Sequence, residues 1–224
     1  MSQTSFMFSN GKSILNPEDR IREYCEIEIY QGYDDKHSIT NKITRSDIDA
    51  ANKLYARIDM YDKDESKRIL EQSPDLEPLP NLDLESISEP DWKILKNKIK
   101  QIFYKFISIK GVGLAKTVKL LHLKRPGLFP IFDSHVVKFL TGVDAGDFEW
   151  PLEQAKVGIQ TLEIARKDIM NNIEILSNTQ QNITDLPIPM TNARLYDILC
   201  WTEEKWVVRK NRNAPGGTAL KSVP

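Results

Sequence analysis

Cysteine is scarce: Cys25 and Cys200 are the only two in 224 residues. Two thiols cannot build a disulfide framework, a four-thiolate iron–sulfur cluster or an all-cysteine zinc site, so both read as ordinary buried thiols. Long hydrophobic runs are missing too. No stretch approaches the roughly 18 to 20 uncharged apolar residues that a membrane helix requires, so the chain is expected to be soluble, with no membrane partner. Met1 to Asn10 lacks a basic region followed by an apolar run, which argues against a secretory signal and makes the cytoplasm the expected compartment. There is no nucleotide-binding glycine loop and no serine elbow, and His37, His122 and His135 do not have a metal-ligand spacing such as two histidines four apart with a glutamate. His122, close to Lys124 and Arg125, reads as a surface contact or a core histidine. Strand-like alternation does not persist anywhere, and no internal repeat is visible, so the expected fold class is all-α.

Charge is present in quantity but unevenly placed. The formal net charge is only −1, yet the two signs are segregated along the chain. From Lys93 to Leu140 there are eleven basic residues and one acid, Asp133, whereas Asp62 to Asp91 holds ten acids against Lys63, Lys67 and Arg68. Such asymmetry points to a polyanion-binding face, or else to a solvated helix surface balanced by an acidic neighbour.

The helical pattern is legible in several places. Asn16-Pro17-Glu18-Asp19 reads as a capped start of a helix running to about Tyr30. Ser46-Asp47 opens another, with Ile48, Ala51, Leu54 and Tyr55 at helical spacing. Ser73 to Pro90 contains Pro74, Pro78, Pro80 and Pro90 among acids and isolated leucines, and reads as a surface connection. Ser88 to Asp91 then caps a long helix whose inward face is Trp92, Leu95, Ile99, Ile102, Phe103, Phe106 and Ile107. It stops at Lys110-Gly111; a second helix spans about Leu114 to His122, and Asp133 opens a third through about Leu140. Pro151 to about Ser177 reads as one or two helices, and Thr191 caps another with Leu195, Ile198, Leu199 and Trp201 inward. Residues 1–207 are expected to form one helical domain, and 208–224, with Gly216-Gly217 and no acid, a flexible basic tail.

Ile109-Lys110-Gly111-Val112-Gly113-Leu114-Ala115-Lys116 joins a hydrophobic helix end to a new helix start through a tight Gly-x-Gly turn. Glycine accepts positive φ and leaves room for close approach, so such a turn can bring backbone N–H groups at the positive end of the next helix against a phosphate oxygen. A lone Gly-x-Gly also serves as a plain helix–helix connection. The run from Ile109-Lys110-Gly111-Val112-Gly113 to Pro130-Ile131-Phe132-Asp133-Ser134-His135-Val136 resembles the helix-hairpin-helix and downstream aspartate of the endonuclease III-like base-excision DNA glycosylase superfamily. There the pattern is Leu-Pro-Gly-Val-Gly, a helix, a proline-containing loop and Val-Asp-Thr-His-Val. Gly111 and Asp133 lie 22 positions apart, the spacing of that superfamily. The likeness covers about Lys93 to Leu140 and points to a short branch.

The resemblance implies a helical bundle that binds double-stranded DNA in base excision repair. Lys110, Gly111, Val112, Gly113 and Leu114 of the hairpin would meet the phosphate backbone, along with Lys116, Lys119, Lys124 and Arg125. Backbone carbonyls of Ile107, Ile109 and Val112 would hold a monovalent cation, K+ or Na+. Asp133 would face the sugar of a flipped nucleotide, stabilising the positive charge that grows as the base departs or positioning a water; an aspartate at a helix start is equally an N-cap. His135 is part of the family pattern, mainly in a structural role. The lyase lysine of bifunctional relatives corresponds to Ala115, and Lys116 is turned by about 100 degrees from that direction, so it reads as a phosphate contact. The implied activity is therefore a hydrolase, a monofunctional DNA N-glycosylase without an iron–sulfur cluster. A non-catalytic DNA-binding module and a structural helical protein whose lysines meet its own acidic segment are the alternatives. Tyr61, Trp92, Trp150, Trp201 and Trp206 could stack on a base but also fit a core.

Overall fold

The computed structural model describes residues 5–26, 32–38, 40–144, 150–186 and 189–213, with only the backbone of 205–213. Among them are nine α-helices: α1 Pro17–Cys25, α2 Arg45–Lys53, α3 Glu65–Gln72, α4 Glu89–Ile107, α5 Leu114–Lys124, α6 Ser134–Thr141, α7 Pro151–Asn171, α8 Ile173–Asn182 and α9 Asn192–Asn213. A short 3-10 turn, Leu84–Ser86, precedes α4. Two three-residue strands, β1 Ser5–Met7 and β2 Ser13–Leu15, form an antiparallel ribbon with Phe6 opposite Ile14. The all-α expectation holds, since this ribbon is a minor addition. It is fastened by polar contacts to α7: Asn172 accepts from the Met7 amide and donates to its carbonyl. No helix among the described residues is long and apolar enough to cross a membrane.

The long helix α4 forms for the reasons its sequence suggests. Ser88 accepts a hydrogen bond from the Asp91 amide, Pro90 lies in the first turn, and the seven apolar residues at helical spacing are the seven that become buried. That stripe packs chiefly on α7, where Gly158 permits very close approach: a Cβ built there would lie 2.8 Å from the Phe103 ring and from Leu114. Helix α9 packs against α1, α6, α7 and α8. Its start is capped by Thr191, whose hydroxyl accepts from the Arg194 amide, and Leu195, Ile198 and Leu199 are fully buried while Trp201 is half-buried. One continuous core runs from Phe6 to Cys200.

Several expectations need correction. Asn16 precedes α1 in a left-handed conformation without a side-chain cap, and the helix ends at Cys25 with Glu26 as its C-cap; the remainder of its expected span, 27–30, lies outside the described residues. Helix α2 is capped by Thr44, in a reciprocal box with Asp47. Tyr55 leaves the expected stripe and is exposed, since the chain turns out of α2 with positive φ at Tyr55, Arg57 and Asp59. The connection from Ser73 to Pro90 is not merely superficial. Leu76, Leu79, Leu84 and Ile87 are all buried, and its backbone is stitched down by Leu76 N–H to the Asn41 carbonyl and Leu84 N–H to that of Gly127. Helix α9 continues through Asn213, so the first residues assigned to the tail are helical; 214–224 lie outside the described residues.

Candidate functional site

The turn between α4 and α5 closes through two short backbone bonds, Ile109 N–H to the Phe106 carbonyl and Val112 N–H to that of Ile109, each 3.0 Å. Gly111 sits at φ +91°, a conformation that L side chains rarely adopt, so this glycine is required by the backbone itself. Gly113 is extended and forms the N-cap of α5 with no side chain to offer. The N–H groups of the first helical turn are therefore left for other partners; that of Leu114 donates to Gln154 Oε1 of α7 at 3.3 Å.

Asp133 lies at the start of α6, where Oδ1 accepts from the Val136 amide at 2.9 Å. It is half-buried. The N-cap reading is thus realised, and it occupies one carboxylate oxygen only. Gly113, Leu114 and Ala115 from α5 line one cleft together with Phe132, Asp133, Ser134 and Val137, and Gln154 closes it from α7; its volume is about 250 Å³. Two helix N-termini, those of α5 and α6, converge on this space, and each brings partial positive charge. The volume lies below the roughly 300 Å³ from which drug-sized pockets begin, so the cleft has room for a single ring system.

The basic residues divide sharply. Lys110 is exposed, with its ammonium 3.9 Å from Asp62. Lys116 bonds to the buried carboxylate of Glu65 and, at 3.0 Å, to the Gly111 carbonyl. Of the carbonyls of Ile107, Ile109 and Val112, to which the resemblance assigns a monovalent cation, that of Ile109 accepts from the Val112 amide. Lys119, Lys124 and Arg125 do not face solvent, contrary to expectation. Lys119 is buried, and burial lowers its pKa to about 8, with Asp133 acting in the opposite sense. Lys124 is fully enclosed, bonded to Asp47 at 2.6 Å, Thr40 at 2.7 Å and Ser38 at 2.8 Å. Arg125 donates to the carbonyls of Leu79, Leu76, Thr40 and Lys124 and to Asn41, which anchors the proline-rich connection. Lys124 and Arg125 hold the fold together, and all three side chains are buried rather than presented to a phosphate.

His135 is exposed and pairs with Glu204 at 3.2 Å. Tyr61 and Trp150 are exposed, Trp92 is buried and Trp201 half-buried; the Trp206 side chain lies outside the described residues. Sequence reasoning missed Glu65 and Gln154. Glu65 stands in an acidic run where no spacing marks it as special, yet its carboxylate packs against Gly111, 3.2 Å from where a Cβ would sit. Gln154 shows its signal only as a polar residue one turn into a helix start.

No curated protein and no solved structure matches the chain. A family profile matches residues 12–204, which takes in β2, the turn, Asp133 and the first thirteen residues of α9. The chain therefore belongs to the family of unknown function DUF6308.

Proposed function

We propose that the cleft between α5 and α6 is a DNA site of the glycosylase type, with Asp133 serving monofunctional hydrolysis of a base N-glycosidic bond. The observation that carries this reading is that Gly113, the second glycine of the turn, and Asp133 line one cleft. A phosphate approaching the N-terminus of α5 would meet backbone N–H groups and a positive helix end. An extruded base would place its sugar near Asp133, whose Oδ1 is fixed by the Val136 amide while Oδ2 is left to balance the charge that develops as the base leaves. Ala115 also lines the cleft and offers no amine, so the chemistry falls to water rather than to a Schiff base.

The test is release of free base from duplexes carrying a panel of deaminated, alkylated and oxidised bases, combined with DNA affinity as a function of salt. Asp133→Asn retains an N-capping oxygen, so base release should fall to background while duplex affinity stays within about twofold. No release from any duplex by the parent protein refutes the enzymatic reading.

A second reading is favoured by one contact, the Glu65–Lys116 pair against Gly111. It makes the turn a DNA-binding element without catalysis, or a purely structural joint, whose charge is satisfied by α3. Phosphate contacts give a steep fall of affinity with salt, about −0.9 in logarithmic slope for each contact; a flat salt profile leaves the structural joint alone standing.

A further inference from the structure

At the other end of α5, roughly 12 Å along the helix from Leu114, three side chains come together that the DNA reading does not use. Asp34, His37 and His122 place one ligand atom each within 4.8 Å of one another. His122 is fully buried. Its Nδ1 lies 2.7 Å from the Phe129 carbonyl oxygen. A carbonyl only accepts, so Nδ1 carries the proton and Nε2 of the neutral ring presents a bare lone pair. Among the described residues that Nε2 is buried without a hydrogen-bond partner, and so is Nε2 of His37. Two buried, unpartnered imidazole nitrogens beside a carboxylate are a costly arrangement for a core that nothing enters.

We infer that Asp34, His37 and His122 form a mononuclear site for a divalent transition metal, Zn2+ being the best fit to two imidazoles and one carboxylate. The surroundings have the features that orient ligands at such centres. The Nδ1–H of His122 is held by a backbone carbonyl, and its ring is stacked on Tyr33 at 5.8 Å between centroids. The Tyr33 hydroxyl is in turn fixed by donation to the Lys119 carbonyl at 2.7 Å. Asp34 is clamped by Arg194, which donates from Nε at 2.6 Å and from Nη2 at 2.9 Å. An ionised carboxylate has about four lone-pair sites, so this clamp leaves two for a metal. Arg194 also pairs with Asp197, so Asp34 shares its guanidinium with a second carboxyl group.

Ligand atoms around a tetrahedral zinc, with bonds of about 2.0–2.1 Å, are separated by roughly 3.4 Å. The trio must therefore tighten slightly. His37 is the member able to do so, since it is partly exposed and lies outside the long helices. Three protein ligands leave a fourth position for water.

The full-length protein, stripped with a chelator and dialysed, should bind one equivalent of Zn2+ by calorimetry. Co2+ should give visible d–d absorption of a low-coordinate nitrogen and oxygen site that Zn2+ displaces. His37→Gln, a change at a partly exposed position, should keep the far-ultraviolet circular dichroism and metal-free Tm of the parent. It should lose about 100-fold or more in Zn2+ affinity, since even outer-shell changes cost 10–100-fold, and with it the Zn2+-induced rise in Tm. His135→Ala, at the exposed pair with Glu204, should bind as the parent does. Absence of stoichiometric Zn2+ and Co2+ binding overturns the site, and so does binding that survives His37→Gln unchanged or that disappears with His135→Ala.

Discussion

Replacing Lys124 by Met separates the two views of this lysine, surface phosphate contact or internal tie, more cleanly than any other single change. The ammonium is completely enclosed and its three donors are matched by Asp47 at 2.6 Å, Thr40 at 2.7 Å and Ser38 at 2.8 Å. Met preserves the stem and its packing, so the loss comes from polar groups left behind. Asp47, 2 % exposed, would become a buried carboxylate without its cation, a change that costs about 3–5 kcal/mol in buried pairs. It keeps two local partners, the Thr44 amide and hydroxyl at 2.6 and 2.7 Å, which places the expected loss nearer about 3 kcal/mol. With a urea m-value near 3 kcal/mol/M, at the upper end for small proteins, the unfolding midpoint falls by about 1 M. A cycle with Asp47→Leu sharpens the test, because the double variant removes both charges and should be less destabilised than the two single losses combined by about 2 kcal/mol or more. DNA affinity, measured where both proteins are folded, should not change. A midpoint within about 0.3 M of the parent, strict additivity in the cycle, or a loss of DNA affinity without loss of stability would each refute the assignment.

Other consequences can be checked with similar means. Gly158→Ala should gain about 1 kcal/mol of helix propensity yet lose more by driving a methyl group to 2.8 Å from Phe103 and Leu114. Overpacking of this kind costs about 1–3 kcal/mol, so a calorimetric Tm lower by a few degrees is expected, and a rise would contradict the packing described. Burial pushes the Asp197 carboxyl up to about 7, against the opposing pull of Arg194 and with a smaller push from Asp34. A folded pKa above the unfolded value means that the native state holds the extra proton, so this group's contribution is fully present below about pH 4 and is lost as pH rises through about 7. Asp197→Asn should flatten that part of the decline in urea midpoint between pH 5 and 8; parallel profiles for the two proteins would exclude it. Glu65→Gln should release Lys116 toward the cleft and steepen the salt dependence of DNA binding by about 0.9 in logarithmic slope, whereas an unchanged slope removes Lys116 from the interface.

What the sequence made legible was whatever depends on local repetition. The inward face of α4 could be read residue by residue because seven apolar side chains recur at helical spacing, and Asp133 could be placed at a helix start because capping is local chemistry. The connection before α4 conceals its burial for the complementary reason. Leu76, Leu79, Leu84 and Ile87 are core residues spaced by prolines rather than by a period, and only the tertiary contacts of Asn41, Gly127 and Arg125 fix their direction. Lys124 and Arg125 stand at a helix end, where basic side chains usually serve the dipole in water. Their partners lie far away in the chain, so nothing nearby announces that they are buried. His37 and His122 show the same limit: each looks isolated until the fold brings their rings to 5.2 Å.

Part of the segregated charge is answered within the fold, while Lys93, Lys98, Lys105 and Lys138 remain exposed. A basic stretch from Lys93 to Leu140 facing an acidic one from Asp62 to Asp91 looks like a polyanion-binding wall and its counterweight. In the folded protein the two partly answer each other, through Lys116 with Glu65 and Lys110 with Asp62; Arg166 on α7 takes Glu89 in the same way, and Lys124 and Arg125 are internal. Attraction for an anion at the cleft must then rest less on lysines than on the two helix N-termini that meet there, whose fields fall off within a turn. Such a source can hold one phosphate or one developing charge at close range but steers little from a distance. A duplex held at the cleft would be gripped there at close range, which is why the salt slope, and not affinity at one ionic strength, discriminates between a DNA-binding cleft and a structural joint.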